Sequence, residues 1–159
     1  MDIKKIREIQ RIFRSGNMTL SAAESCTGGL ISHYITAVPG ASSYFRASVV
    51  AYSAEMKRDL LGIPARFIRK YGVVSEEVAS EMAKRVRTLT GADVAVATTG
   101  NLGPDVLEEK PAGLVFIAVS TGSHTVARRL MLKGTRSGIK EKAVWEAFSL
   151  LLEVMSCDC

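Results

Sequence analysis

Aromatic side chains are scarce in this sequence, at 6% of 159 residues. A protein that reads nucleic acid by stacking needs aromatics interleaved with a basic stripe. Here the 21 lysines and arginines are spread along the chain and mostly alternate with the 16 acids, so solvated helix faces account for most of them. The net charge of +5 suits an anionic partner without specifying one, and nucleic acid is disfavoured as that partner. Cysteine is equally short. Three thiols, two of them at Cys157 and Cys159, cannot build a disulfide framework, and they are expected to stay reduced. The Cys157-x-Cys159 pair reads as a frayed terminus rather than a chelator. The two histidines, His33 and His124, lie far apart and outside any ligand-spaced cluster, so no metal site is expected. A run of about 18 apolar residues, the signature of a membrane span, is also missing. The amino terminus carries Lys4, Lys5, Arg7, Arg11 and Arg14 without a hydrophobic block, unlike a secretory signal. No membrane partner and a cytoplasmic location are therefore expected.

What is present is enough apolar residue, 47%, to fill one sizeable core, and the chain is read as a single domain over 1–159. Asp2 can cap a first helix with Ile3, Ile6, Ile9 and Phe13 on one stripe, ended by Gly16-Asn17. Met18 to Ala22 reads as a short buried strand, and Leu30, Ile31, Tyr34 and Ile35 recur at helical spacing after it. Phe45 to Tyr52 reads as a strand, Ser53 as the cap of a short helix ending at Gly62, and a small piece runs from Ile63 to Tyr71. Ser75 opens a longer helix with Val78, Met82, Val86 and Leu89 on its apolar stripe. Asp93 to Thr99 is almost wholly apolar, as a strand covered on both faces would be, and is expected to be central. Gly113–Ser120 and His124–Leu132, separated by Thr121-Gly122-Ser123, should pair as an antiparallel hairpin before a last helix from about Ser137 to Met155. The alternation predicts an α/β fold: a three-layer α/β/α sandwich with a mixed, mostly parallel sheet of about five to six strands.

In such sheets the loops at the carboxyl ends of parallel strands gather into one crevice. Three segments fall there. Glu24-Ser25-Cys26-Thr27-Gly28-Gly29 sets two hydroxyls and a thiol before paired glycines on a strand-to-helix turn. Glycines allow close backbone approach to a ligand, and free N–H groups there can receive an anion or a developing oxyanion. A plain helix cap by Ser25 or Thr27 explains the same residues equally well. Tyr52 to Lys57 places a phenol at a strand end and an amine about one turn later. Burial can lower a lysine pKa until it accepts a serine proton, with Tyr52 relaying or orienting. A strand-end aromatic and a solvated lysine are the stronger reading of that segment alone. Thr98-Thr99-Gly100-Asn101-Leu102-Gly103 leaves a buried strand for a glycine-bearing loop, either a substrate contact or a simple turn. Arg136 precedes the last helix and can reach a phosphate or carboxylate, or remain an exposed helix-start arginine. Without a usable histidine pair, a serine–histidine–aspartate hydrolase is disfavoured.

Taken in order, ESCTGG, VVAYSAEMK, YGVVSEEVASEMA, TTGNLGP, EEKPAGLVFIA and GTR resemble the C-terminal domain family of the competence/damage-inducible protein CinA, from about Met18 to the final helix. That family includes stand-alone nicotinamide mononucleotide amidohydrolases. The resemblance implies hydrolysis of nicotinamide mononucleotide to nicotinic acid mononucleotide and ammonia, with no metal and no cofactor, on a small-molecule pyridine mononucleotide as partner. It implies Ser25 as nucleophile, Lys57 as general base and Tyr52 as relaying or positioning partner, with Thr99 and Arg136 contacting substrate or organising the site. Glu24, Thr27, Gly28, Gly29 and Gly100 are expected to complete the substrate site, and the N–H groups around Thr27 and Gly28 to hold the oxyanion. Cys26 is the second candidate nucleophile. The apolar helix faces together with the resemblance favour a homo-oligomer. Two positions depart from the family pattern: Leu102 replaces a small residue and is expected to narrow the pocket, and Thr135 replaces an acid and is expected to loosen Arg136. They motivate the alternative, a non-catalytic nucleotide-binding or DNA-uptake accessory module of the same family.

Overall fold

A computed structural model of the chain describes residues 2–157. Cys159 lies outside these residues, and Cys157 is exposed at the end of the last helix. Five strands form one sheet: β1 (Leu20–Glu24), β2 (Phe45–Val50), β3 (Val94–Gly100), β4 (Leu114–Ser120) and β5 (Thr125–Met131), ordered β2-β1-β3-β4-β5. β1 pairs parallel with both β2 and β3, while β3–β4 and β4–β5 are antiparallel. Only β4 therefore opposes the other strands, and β3 is central as its apolar run predicts. The first strand sits two residues later than Met18–Ala22, because the buried run continues through Ala23 to Glu24.

Six helices cover the two faces: α1 (Ile3–Ser15), α2 (Leu30–Thr36), α3 (Ala54–Asp59), α4 (Ala65–Tyr71), α5 (Glu76–Thr90) and α6 (Arg136–Cys157). Caps fall where expected: Asp2 accepts from the Lys5 N–H at 3.2 Å, Ser53 from Met56 at 3.2 Å and Ser75 from Val78 at 3.2 Å. One face of the sheet presents Leu20, Val94, Val96, Ile117 and Val119 to α1, α2 and α6. The other presents small residues, Ala23, Ala95, Ala97 and Ala118, so that α5 lies close with Val78, Met82 and Val86 facing them. Two stripe residues miss these cores: Ile3 and Leu89 are 41% and 60% exposed, each at or next to an end of its helix.

Strand register brings the loop residues together. Glu24 pairs with Val50 on one side and Thr98 on the other, so three parallel strands end at one level. The ladder continues a step beyond them, with Ser25 N–H donating to Thr98 C=O at 3.0 Å and Ala51 N–H to Glu24 C=O at 2.9 Å. Ser25, Tyr52 and Thr99 thus emerge side by side from rigid backbone.

Candidate active site

Lys57 is the most unusual side chain of the molecule, a lysine only 1% exposed. Its Nζ lies 2.9 Å from Ser25 Oγ, 3.0 Å from the Ala51 carbonyl oxygen and 3.3 Å from that of Tyr52. Those acceptors match the three donors of an ammonium. Burial nevertheless lowers the amine to a pKa of about 8, against a smaller upward pull from Cys26 and Glu108. The solvated-helix reading of Lys57 does not hold. α3 starts at its Ser53 cap and brings Lys57 back beneath the strand ends within one turn.

Ser25 is not a helix cap. The N-cap residue of α2 is Gly29, and the free N–H groups of that first turn are taken by Glu24, whose wholly buried carboxylate collects six donors. The N–H groups of Gly29, Ile31 and Ser32 each donate to it at 3.0 Å, with the hydroxyls of Thr27 at 2.7 Å, Ser32 at 3.1 Å and Ser48 at 3.0 Å. Glu24 therefore holds the turn rather than offering a carboxylate to a ligand, contrary to the expectation of a substrate contact. Thr27 is equally internal, with Oγ1 also 2.8 Å from Thr98 Oγ1. Gly28 and Gly29 have φ of +55° and +97°, in the left-handed region that favours glycine. The Gly28 N–H is already donated to Ser25 C=O at 3.1 Å. Among the described residues no carbonyl takes the N–H of Cys26 or Thr27; Cys26 lines the cleft whereas Thr27 is wholly buried, so the available donor lies upstream of the expected Thr27–Gly28 pair.

Replacing Glu24 by Gln puts an amide NH2 among donors and leaves at least two of them without an acceptor. At about 1–3 kcal/mol per stranded buried group, Glu24→Gln is expected to lower stability by about 3 kcal/mol. Urea denaturation checks this, and an unchanged midpoint would mean the carboxylate is not the pillar of the turn.

The Cys26 thiol is pushed up to about 12 by burial. Since the thiolate is the attacking species, this weighs against Cys26 and for Ser25 as nucleophile. Tyr52 departs from expectation in another way: its backbone carbonyl, not its phenol, touches the Ser25–Lys57 pair. The phenol is 57% exposed and accepts from Arg136 Nη2 at 3.0 Å, while Arg136 Nη1 donates to the Gly103 carbonyl. Arg136 is thereby anchored although Thr135 carries no acid; Thr135 Oγ1 instead accepts from the Gly138 N–H at 3.2 Å in the first turn of α6. Thr99 is buried and donates to the Val73 carbonyl at 2.7 Å, tying the end of β3 to the approach of α5. At Gly100 a Cβ would fall 2.7 Å from Leu114 C=O, so close approach of β4 explains that glycine.

Ser25, Tyr52, Gly100 and Leu107 line both lobes of one cleft, of about 270 and 350 Å³. Arg136 and Leu102 belong to the first lobe, Lys57, Thr99 and Glu108 to the second. Leu102 does form pocket wall as expected, and its side chain also joins the core on the α6 side. A larger cleft of about 890 Å³, between α5 and β4–β5, contains none of Ser25, Lys57, Thr99 and Arg136, so size does not locate the chemistry. Sequence reasoning gave no role to Asn101, which donates to the Leu107 and Lys110 carbonyls at 3.0 Å, or to Glu108, which accepts from Val73 N–H at 2.6 Å. Together they strap the loop following β3 over the cleft. Nothing local in sequence marks the Glu108 contact, because its partner is 35 residues away; an asparagine between glycines was the available signal for Asn101.

Comparison with known proteins places this geometry in context. Relatives from Desulforudis audaxviator and Bacillus pumilus are 45% and 41% identical over 130 and 150 residues, covering 81% and 94% of this chain. The chain spans about a third of the length of these curated relatives, 31% and 36% respectively. The crystal structure of competence damage-inducible protein A from Klebsiella pneumoniae superposes with a TM-score of 0.94 at 31% identity, covering 97% of this chain and 96% of that one. The competence/damage inducible protein CihA from Agrobacterium tumefaciens gives 0.91 at 32% identity, over 95% and 93%. Residues 3–155 match the family described as CinA C-terminal domain. With fold, sequence and coverage in agreement, the chain belongs to the CinA C-terminal domain family.

Proposed function

We propose that this chain is an amidohydrolase that converts nicotinamide mononucleotide to nicotinic acid mononucleotide and ammonia, with Ser25 as nucleophile and Lys57 as general base. The observation that carries this reading is the buried 2.9 Å contact between Lys57 Nζ and Ser25 Oγ at the floor of the cleft. In the uncharged amine two N–H bonds remain, and the carbonyls of Ala51 and Tyr52 take both. The lone pair is then left facing Ser25 Oγ–H. Those backbone acceptors thus aim the base as well as bind it.

Ser25 Oγ attacks the carboxamide carbon as its proton passes to Lys57. The carbonyl oxygen becomes an oxyanion, for which the N–H of Cys26, which lines the cleft beside Ser25, is the nearest donor. Collapse breaks the C–N bond, Lys57 returns the proton to the leaving nitrogen, and ammonia departs. A water deprotonated by Lys57 then cleaves the acyl ester, giving the acid and free Ser25. Tyr52 and Arg136 border the cleft and position the remainder of the substrate.

The test is incubation of purified protein with nicotinamide mononucleotide and a panel of other nucleotide amides, with products identified by mass. Nicotinic acid mononucleotide and equimolar ammonia are expected. Calorimetric binding of the mononucleotide without product would replace this reading with a non-catalytic nucleotide-binding module.

A further inference from the structure

We infer that Lys140, paired with Arg136, forms an anion subsite at the rim of the cleft that takes the phosphate of a phosphorylated substrate. The inference rests on the proposed hydrolysis of a nucleotide amide for its substrate class, but the charge pair stands independently of it. Arg136 and Lys140 lie four residues apart on α6, hence on one face and about 6 Å apart along the axis. Arg136 turns into the cleft, where Tyr52 Oη and the Gly103 carbonyl use two of its five N–H donors. Lys140 reaches instead over the nucleophile turn. Its Nζ lies 3.3 Å from where a Cβ on Gly28 would stand, three residues after Ser25.

Lys140 is half-buried and, among the described residues, makes no hydrogen bond or ion pair. Three other lysines differ. Lys142 donates to the Lys133 carbonyl at 2.6 Å, and Lys57 and Lys110 are fully engaged. Among the described residues no ion pair joins Lys140 to the adjacent Glu141, whose carboxylate accepts from Tyr34 Oη at 3.4 Å. An ammonium held over the nucleophile turn with no acceptor, one helical turn from a guanidinium with three donors to spare that lines the cleft, sets two positive charges on the same face of α6. A phosphate monoester carries about −1.5 to −2 at neutral pH and offers three acceptor oxygens. That complements the pair, with arginine supplying the planar fork and lysine the point charge. Gly28 also acquires a second reason to be glycine, since a side chain there would crowd the ammonium.

The test compares Lys140→Met with the unaltered chain on nicotinamide mononucleotide and on nicotinamide riboside, which lacks the phosphate. KM for the mononucleotide should rise at least tenfold with kcat within about twofold, and kcat/KM for the riboside should not move. Equal effects on both substrates, or none, overturn the inference. In parallel, calorimetry with ribose 5-phosphate should show binding that Lys140→Met weakens at least tenfold and Lys142→Met leaves intact. No binding, or equal weakening by the Lys142 control, also overturns it. If the chain hydrolyses no amide, the hydrolase reading fails while the calorimetric arm still decides the subsite.

Discussion

Ser25→Ala is expected to abolish ammonia release, with kcat falling by on the order of 10⁴-fold or more, as loss of a nucleophile does in other covalent hydrolases. The fold should persist. Ser25 Oγ has only a long, 3.5 Å approach to the Tyr52 carbonyl besides its contact with Lys57, and its backbone is held by the Thr98 ladder bond. Removing the hydroxyl costs one side-chain interaction and leaves Lys57 with two acceptors. The thermal midpoint should therefore stay within a few degrees, and the mononucleotide should still bind. More than about 1% of the original activity in a correctly folded Ser25→Ala protein would place the nucleophile elsewhere. Cys26 would be the first alternative, although its protonated thiol argues against it.

Lys57→Met should lower kcat by about 10³-fold or more, and it makes a second, independent prediction through pH. With the folded pKa near 8, kcat/KM of the unaltered chain should rise as pH increases through about 8, because the free amine is the active form. At pH 7 about a tenth of the molecules carry it. Any residual activity of Lys57→Met should lack that limb. Stability carries the same signature. An unfolded lysine titrates near its ordinary 10.5, so between about 8 and 10.5 the unfolded chain binds the proton that the folded chain has released. Stability of the unaltered protein relative to Lys57→Met should thus be greatest above 10.5 and be lost as pH falls to about 8. The gap between the two titrations corresponds to about 3 kcal/mol. Urea titrations of both proteins across this range check it. A difference that does not vary with pH would mean Lys57 titrates normally, and the base assignment would fall with it.

The burial that disfavours the charge is the feature that suits Lys57 to the proposed role of base. A solvated lysine at neutral pH is almost wholly protonated and cannot accept a serine proton. Enclosing it beneath three strand ends sacrifices some stability for a lone pair near working pH, a familiar exchange at functional sites. The enclosure is built mostly from backbone: Ala51 and Tyr52 contribute carbonyl groups, and substitutions at their side chains leave those acceptors in place.

Much of the architecture was legible in local pattern. The apolar run from Val94, the serine caps at Ser53 and Ser75, the amphipathic stripe of Ile6, Ile9 and Phe13, and the Thr121-Gly122-Ser123 turn each act within a few residues, and each appears where its pattern puts it. Boundaries moved where tertiary burial overrode the pattern, as in β1, which runs on to Glu24. The members of the candidate site were also legible by type and place, because loops after parallel strands must converge. Their roles were less so. Glu24 looked like a ligand group and proved to be a buried acceptor, since whether a carboxylate faces a cavity or six protein donors depends on residues up to 24 positions away. Tyr52 offered a conspicuous phenol, yet its carbonyl makes the contact with Lys57.

Sequence alone determined the layering and the strand ends that carry Ser25, Tyr52 and Thr99, because composition and periodicity act locally. Only the tertiary structure decided that Lys57 is buried against Ser25, that Arg136 meets Tyr52 across 84 positions, and that Lys140 overhangs Gly28. Desolvation and charge proximity are properties of three-dimensional distance, and no spacing along the chain encodes them.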